Sequence, residues 1–156
     1  MINIADLLTT ERVASDVNVT SKKRSLEELS ELIAGADPAL PAQTIFDKLI
    51  SREKLGSTGL GHGVALPHAR MDGNDSAVAA FLRTSEPIDF DAFDGEPVDL
   101  LFALVVPEHF TDEHLQILAR LAELFSDPEL CRQLRAAEDA EAVYHLLTTW
   151  GADAGS

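Results

Sequence analysis

Residues 56–70 read GSTGLGHGVALPHAR and carry the chain's most suggestive chemistry. Four glycines, Gly56, Gly59, Gly61 and Gly63, fall within eight positions, with Ser57 and Thr58 among them. Glycine allows positive φ and a close backbone approach to a ligand, and successive N–H groups in such a loop can surround an anion. The short apolar run Val64–Leu66 then leads through Pro67 to His68. An imidazole beside an anion cradle points to a histidine that handles a phosphoryl group.

A neutral imidazole is a good nucleophile near pH 7, because its unperturbed pKa is about 6.5. A histidine carrier needs groups that hold phosphoryl oxygens but no metal. Ser57, Thr58 and the N–H groups around Gly59 are candidate donors. Arginine is the expected charge partner, since its planar fork matches phosphate oxygens, and Arg52 is the nearest candidate by position. His114, in the first turn of an expected helix after a buried strand, falls at the rim where α/β folds build sites. His62 and His109 fall in expected loops, and His145 on a C-terminal helix. The spacings His62–His68 and His109–His114 match no common metal-ligand signature. The glycine loop lacks the Gly-Lys-Ser/Thr ending of a nucleotide P-loop. No metal and no cofactor are expected.

The elements that must position these residues can be read from periodicity. Ile2–Leu8 suggests a short helix and Arg12–Val19 a strand. Ser25 with Glu28 has the form of a capping box, followed by an apolar face of Leu26, Leu29, Leu32 and Ile33 that Gly35 ends. A second helix over about 41–54 turns Ile45, Phe46, Leu49 and Ile50 inward, so Arg52 lies in its last turn beside the loop. Strands are expected at Gly63–Leu66, Val78–Arg83 and Leu100–Val106, the last apolar throughout and therefore buried on both faces. A third helix over about 111–125 is expected to face inward with Leu115, Leu118, Ala122 and Phe125. Asp127-Pro128 starts a short helix, and another spans about 140–148. This predicts an α/β single-domain sandwich, a small mixed β-sheet flanked by helices, with residues 1–150 as the domain and 151–156 as a tail.

Composition narrows the function classes. The chain has 156 residues, 46% hydrophobic and 25% charged, and a net charge of −15. Such charge argues against non-specific nucleic-acid binding, which relies on Lys and Arg at phosphates. Between Met71 and Ala119 the only basic residue is Arg83, against eleven Asp and Glu. That stretch reads as a solvated acidic face or as a docking surface for a basic partner. No apolar run reaches the roughly 20 residues of a membrane span, and the N-terminus has no signal-peptide pattern. The lone Cys131 excludes an intrachain disulfide and fits a reducing cytoplasm.

Ser51–Arg70, SREKLGSTGLGHGVALPHAR, resembles the active-site segment of IIA domains of the bacterial phosphotransferase system, fructose–mannitol type. Pro87–Glu108 and His114–Phe125 resemble the same family, and NIADLL with SKKRSLEELSELIA resembles its nitrogen-regulatory branch. The resemblance implies a phosphohistidine carrier: His68 as phosphoryl acceptor, with His114 and Arg52 completing the catalytic set. It implies an HPr-like or NPr-like phosphocarrier as donor and regulatory targets such as potassium-transport or sensor-kinase components. The alternative within the family is a sugar-specific component that passes phosphate to a IIB domain. Two departures stand out: His62 where relatives often carry Asn, Asp or Glu, which would put a further titratable group near the site, and Ala69 where they often carry Gly.

Overall fold

The computed structural model describes residues 4–35, 40–71, 76–109 and 112–150. The expected tail, 151–156, lies outside them. A 3-10 turn at Ile4–Asp6 stands where a helix is expected over 2–8, whose first two residues are not described, and a second such turn occupies Thr10–Arg12. The elements that follow are β1 (Val13–Val17), α1 (Lys22–Ala34), α2 (Ala42–Lys54), β2 (Gly59–Gly61), β3 (Val64–Ala65), β4 (His68–Met71), β5 (Val78–Ile88), β6 (Val98–Pro107), α3 (Asp112–Phe125), α4 (Pro128–Ala136) and α5 (Ala140–Thr149).

The sheet runs β1-β5-β6-β3-β2, with β4 also on β6. It is mixed: β5–β6 and β2–β3 are antiparallel, while β1–β5, β3–β6 and β4–β6 are parallel. β3 and β4 take successive stretches of one edge of β6, at Leu100–Leu101 and Leu104–Pro107. Pro67 lies between them; it has no N–H to give, and its carbonyl accepts from Leu104 N–H at 2.9 Å.

β6 is buried on both faces, as its apolar run requires. Leu100, Phe102, Leu104 and Val106 join Phe81 and the helices α3, α4 and α5 in one core; Leu101, Ala103 and Val105 join Leu82 and the helices α1 and α2 in another. In the first core Phe102 meets Phe125 edge-on at 5.8 Å between ring centroids. Arg83 is buried, its guanidinium donating to the carbonyls of Leu134 and Ala137 at the C-terminal end of α4. The predicted α/β sandwich is therefore the observed architecture, in three layers.

Two helices differ from expectation. α1 starts at Lys22 and is capped by Ser21, whose Oγ accepts from Arg24 N–H at 3.2 Å. Ser25 lies inside the first turn, its hydroxyl donating to the Lys22 carbonyl. The basic, non-apolar opening Lys22–Arg24 hid that turn from periodicity. α3 buries Ile117, Leu121, Leu124 and Phe125, while Leu115 is 68% exposed. Apolar residues cover so wide an arc of α3 that spacing alone does not choose the inward face. The Asp127 cap and Pro128 start of α4 stand as expected.

Candidate active site

α2 delivers Arg52 in its last turn, as the sequence predicts, and Gly56 ends the turn at φ 153°. Arg52 Nη1 donates to the Gly56 carbonyl at 2.9 Å, which aims the guanidinium across the start of the glycine segment. That uses one of five donors. The segment itself forms β2, the β2–β3 turn and β3, and the chain passes through Pro67 into β4, which begins with His68. Neither β2 nor β4 is legible as a strand in the sequence, being only three and four residues long.

On β4, side chains alternate between faces. Ala69 and Met71 enter the core beneath α1 and α2, in ordinary extended backbone, and the Ala69 departure needs no strained conformation. His68 and Arg70 take the other face. His68 Nδ1 lies 2.8 Å from the Leu66 carbonyl oxygen. A carbonyl only accepts, so Nδ1 carries the proton, and the neutral ring has its lone pair on Nε2. Desolvation pushes the His68 pKa below 6.5; the Leu66 bond opposes that, the Arg52 charge adds to it, and Glu53 opposes it. The ring is therefore neutral, with a free Nε2, at pH 7.

His114, in the first turn of α3, meets His68 edge-on, ring centroids 5.5 Å apart at 81°. Its Nε2 is buried and finds no hydrogen-bond partner among the described residues. Desolvation, then the neighbouring His68 and Arg70, bring its pKa down to about 4. Leaving a buried polar atom unpaired costs about 1–3 kcal/mol, and here the cost falls beside a nucleophile.

Two clefts share Arg52 and His68. One, about 560 Å³, adds Lys48, Arg70 and His114 with the single acid Glu108. The other is lined by residues 57–60 and the Leu118–Ala122 side of α3. The immediate surroundings of His68 are thus basic, in a chain of net charge −15. Arg70 was not singled out from the sequence, although two-residue alternation from His68 places it on the same face.

Ser57, Thr58 and Gly59 line the second cleft, with both hydroxyls and the Thr58 and Gly59 N–H groups engaged within the protein. Thr58 Oγ1 donates to Glu53 Oε2 at 2.6 Å, Thr58 N–H to the same carboxylate, Ser57 Oγ to the Phe90 carbonyl and Gly59 N–H to Ser57 Oγ. In this structure the two hydroxyls fold the segment against α2 and the 89–97 loop. His62 also stands elsewhere. Gly63 meets Asp99 on β6 and His68 meets Leu104, which puts His62 roughly 20 Å from His68 at about 3.3 Å per strand residue. It sits in a separate surface cleft with Asp94, Asp99 and Arg135. His109 and His145 are exposed and line neither cleft. Among the described residues no group of three His, Cys, Asp or Glu side chains is placed to hold a metal ion.

Residues 6–150 match the family model described as "Phosphoenolpyruvate-dependent sugar phosphotransferase system, EIIA 2". The chain belongs to this family. It is accordingly a phosphotransferase-system component. The chain is 47% identical to a nitrogen regulatory protein of Pseudomonas aeruginosa, over 94% of this chain and 96% of that one. It is 43% identical to a nitrogen regulatory protein of Escherichia coli K12, over 94% and 90%. The structure of the nitrogen regulatory protein IIA-Ntr from Neisseria meningitidis superposes with a TM-score of 0.88 at 45% identity, covering 93% of this chain and 99% of that one. IIA mannitol from Escherichia coli shares the fold, at a TM-score of 0.75 and 20% identity. Both clefts of this EIIA 2 member are lined in part by residues of the Ser51–Arg70 segment. Among the described residues, no helix is long and apolar enough to cross a membrane.

Proposed function

We propose that the protein is a phosphohistidine carrier of a nitrogen-regulatory phosphotransferase system, that it accepts a phosphoryl group on His68 Nε2 from an HPr-like or NPr-like phosphocarrier, and that it acts in the cytoplasm on regulatory partners such as potassium-transport or sensor-kinase components. The carrying observation is the Nδ1–H bond from His68 to the Leu66 carbonyl, which leaves Nε2 as the only free nucleophilic nitrogen of that ring. In the transfer, the Nε2 lone pair attacks phosphorus. The donor's P–N bond breaks and its electron pair returns to the donor imidazole. The positive charge gained by the His68 ring is stabilised through Nδ1–H and the Leu66 carbonyl, so no proton need move in the step.

Arg52 contributes its unused N–H donors to the phosphoryl oxygens, and neutral His114 contributes an Nε2–H donor, which satisfies its orphaned atom. Both are charge-stabilising contacts held in place before the reaction. Ser57, Thr58 and Gly59 shape the wall against which the donor docks. The regulatory output, in preference to sugar transfer, is supported by identities of 47% and 43% to nitrogen regulatory proteins, against 28% to a fructose-specific component of Bacillus subtilis. Incubation with a phosphorylated HPr-type carrier tests the reading: acid-labile label on the parent protein and none on His68→Ala is expected. Equal labelling of the two contradicts it.

A further inference from the structure

Glu53 is the buried acid behind the site. Its side chain is 1% exposed, and a carboxylate survives there only with partners that replace water. It has three. Thr58 N–H donates at 3.1 Å and Thr58 Oγ1–H at 2.6 Å, and Lys22 Nζ lies 3.5 Å away. Lys22 in turn sits 4.7 Å over the Phe90 ring, and the Phe90 carbonyl accepts from Ser57 Oγ. One carboxylate therefore ties the C-terminal end of α2, the start of α1, the glycine segment and the 89–97 loop together. The turn it closes, 55–58, is the one whose Gly56 carbonyl seats Arg52.

We infer that Glu53 is a positioning residue for phosphoryl transfer at His68, holding the Arg52–Gly56 turn through Thr58. The inference rests on the phosphocarrier reading above. It also explains why the Thr58 hydroxyl turns inward: it locks the loop, and the phosphoryl contacts fall to Arg52 and His114. The charge acts at a distance, since Glu53 favours the imidazolium form of His68. The other titratable and charged groups facing His68 are Lys48, Arg52, Arg70, Glu108 and His114, and the substitutions below leave all of them in place.

The test compares the full-length parent, Glu53→Gln and Thr58→Val. Each is checked for folding by circular dichroism, for label uptake from a phosphorylated HPr-type carrier, and for the His68 titration midpoint by ¹⁵N NMR. Glu53→Gln removes the charge at nearly constant shape; uptake should slow by about tenfold or more and the His68 midpoint should fall. Thr58→Val removes one bond of the lock but no charge; uptake should slow while the midpoint holds. Unchanged uptake by folded Glu53→Gln overturns the inference. So does slower uptake with an unmoved midpoint, which would make Glu53 merely structural. Should Glu53→Gln not fold, Thr58→Val decides, and parental uptake by it overturns the inference. A parent that takes no label contradicts the phosphocarrier reading itself and this inference with it; a labelled parent with unaffected variants contradicts only the role of Glu53.

Discussion

In the proposed transfer a single carbonyl decides which nitrogen of His68 reacts. The same local logic makes Arg52 more than a positive charge: its fork is aimed by the Gly56 carbonyl and keeps further donors for the proposed phosphoryl contacts. Arg52→Ala should slow phosphoryl acceptance about 10²-fold, measured as initial rate of label uptake, and Arg52→Lys should recover only part, because an ammonium does not offer the planar fork. His114 carries a stability consequence. Its folded-state pKa, about 4, lies below the unfolded value of 6.5. Between those values the unfolded chain binds a proton that the folded chain refuses, so stability falls as pH drops from about 6.5 toward 4. His114→Gln cannot titrate; its urea midpoint should change less between pH 7 and pH 5 than that of the parent. Equal losses would place the pH dependence elsewhere. Residue types were the most legible level of the site: His68, Arg52 and His114 are brought together, each with a sequence signal. Arg70 and Glu53 were missed. An exposed arginine and a helical glutamate carry no signal until the strand face and the burial are known.

The elements show where sequence periodicity stops. α2 and the buried β6 were legible because apolar spacing and apolar run length have one structural solution each. β2 and β4 were not, because a strand of three or four residues exists only through its neighbours. α3 was found as a helix, with Phe125 inward as expected, but its buried stripe runs through Ile117, Leu121 and Leu124 and not through Leu115. Its Leu118–Ala122 side lines a cleft over the glycine segment, and Leu115 remains exposed. The turn from β2 to β3 is a demanding piece of backbone. His62 holds φ 56° and Gly63 φ 82°, with Asp94 accepting from His62 N–H and Arg135 donating to the His62 carbonyl at 2.6 Å. A Cβ on Gly63 would lie 2.5 Å from Arg135 Nη2, and that guanidinium is held by Asp99. Gly63→Ala should therefore destabilise the fold by about 1–3 kcal/mol, read from urea unfolding. Label uptake by the remaining folded protein should be little changed, because this turn stands at the other end of β6 from His68. A neutral effect on stability would mean the turn relaxes freely.

For the whole molecule, the separation of charge is the organising feature. A net charge of −15 coexists with a cleft in which Lys48, Arg52 and Arg70 outnumber Glu108. The one basic residue of the acidic 71–119 stretch, Arg83, is buried on α4 carbonyls and pairs with Asp16, an acid outside that stretch. The fold puts cations around His68 because α2 and β4 bring together Lys48, Arg52 and Arg70. A phosphoryl group adds about −1.5 to −2 charges, enough to cancel most of that local excess. Phosphorylation should therefore weaken docking of an acidic partner by about tenfold or more, and calorimetric titration of both forms against one such partner checks it; equal affinities would contradict the electrostatic switch. The proposed carrier role requires that the phosphoryl group be attached to His68 Nε2. Nitrogen-15 and phosphorus-31 correlation spectra of the phosphorylated full-length protein report that bond directly. Phosphorus coupled to Nε2 of His68, with Nδ1 still protonated against the Leu66 carbonyl, is the predicted result; phosphorus on Nδ1, on His114 or on any other residue would contradict it.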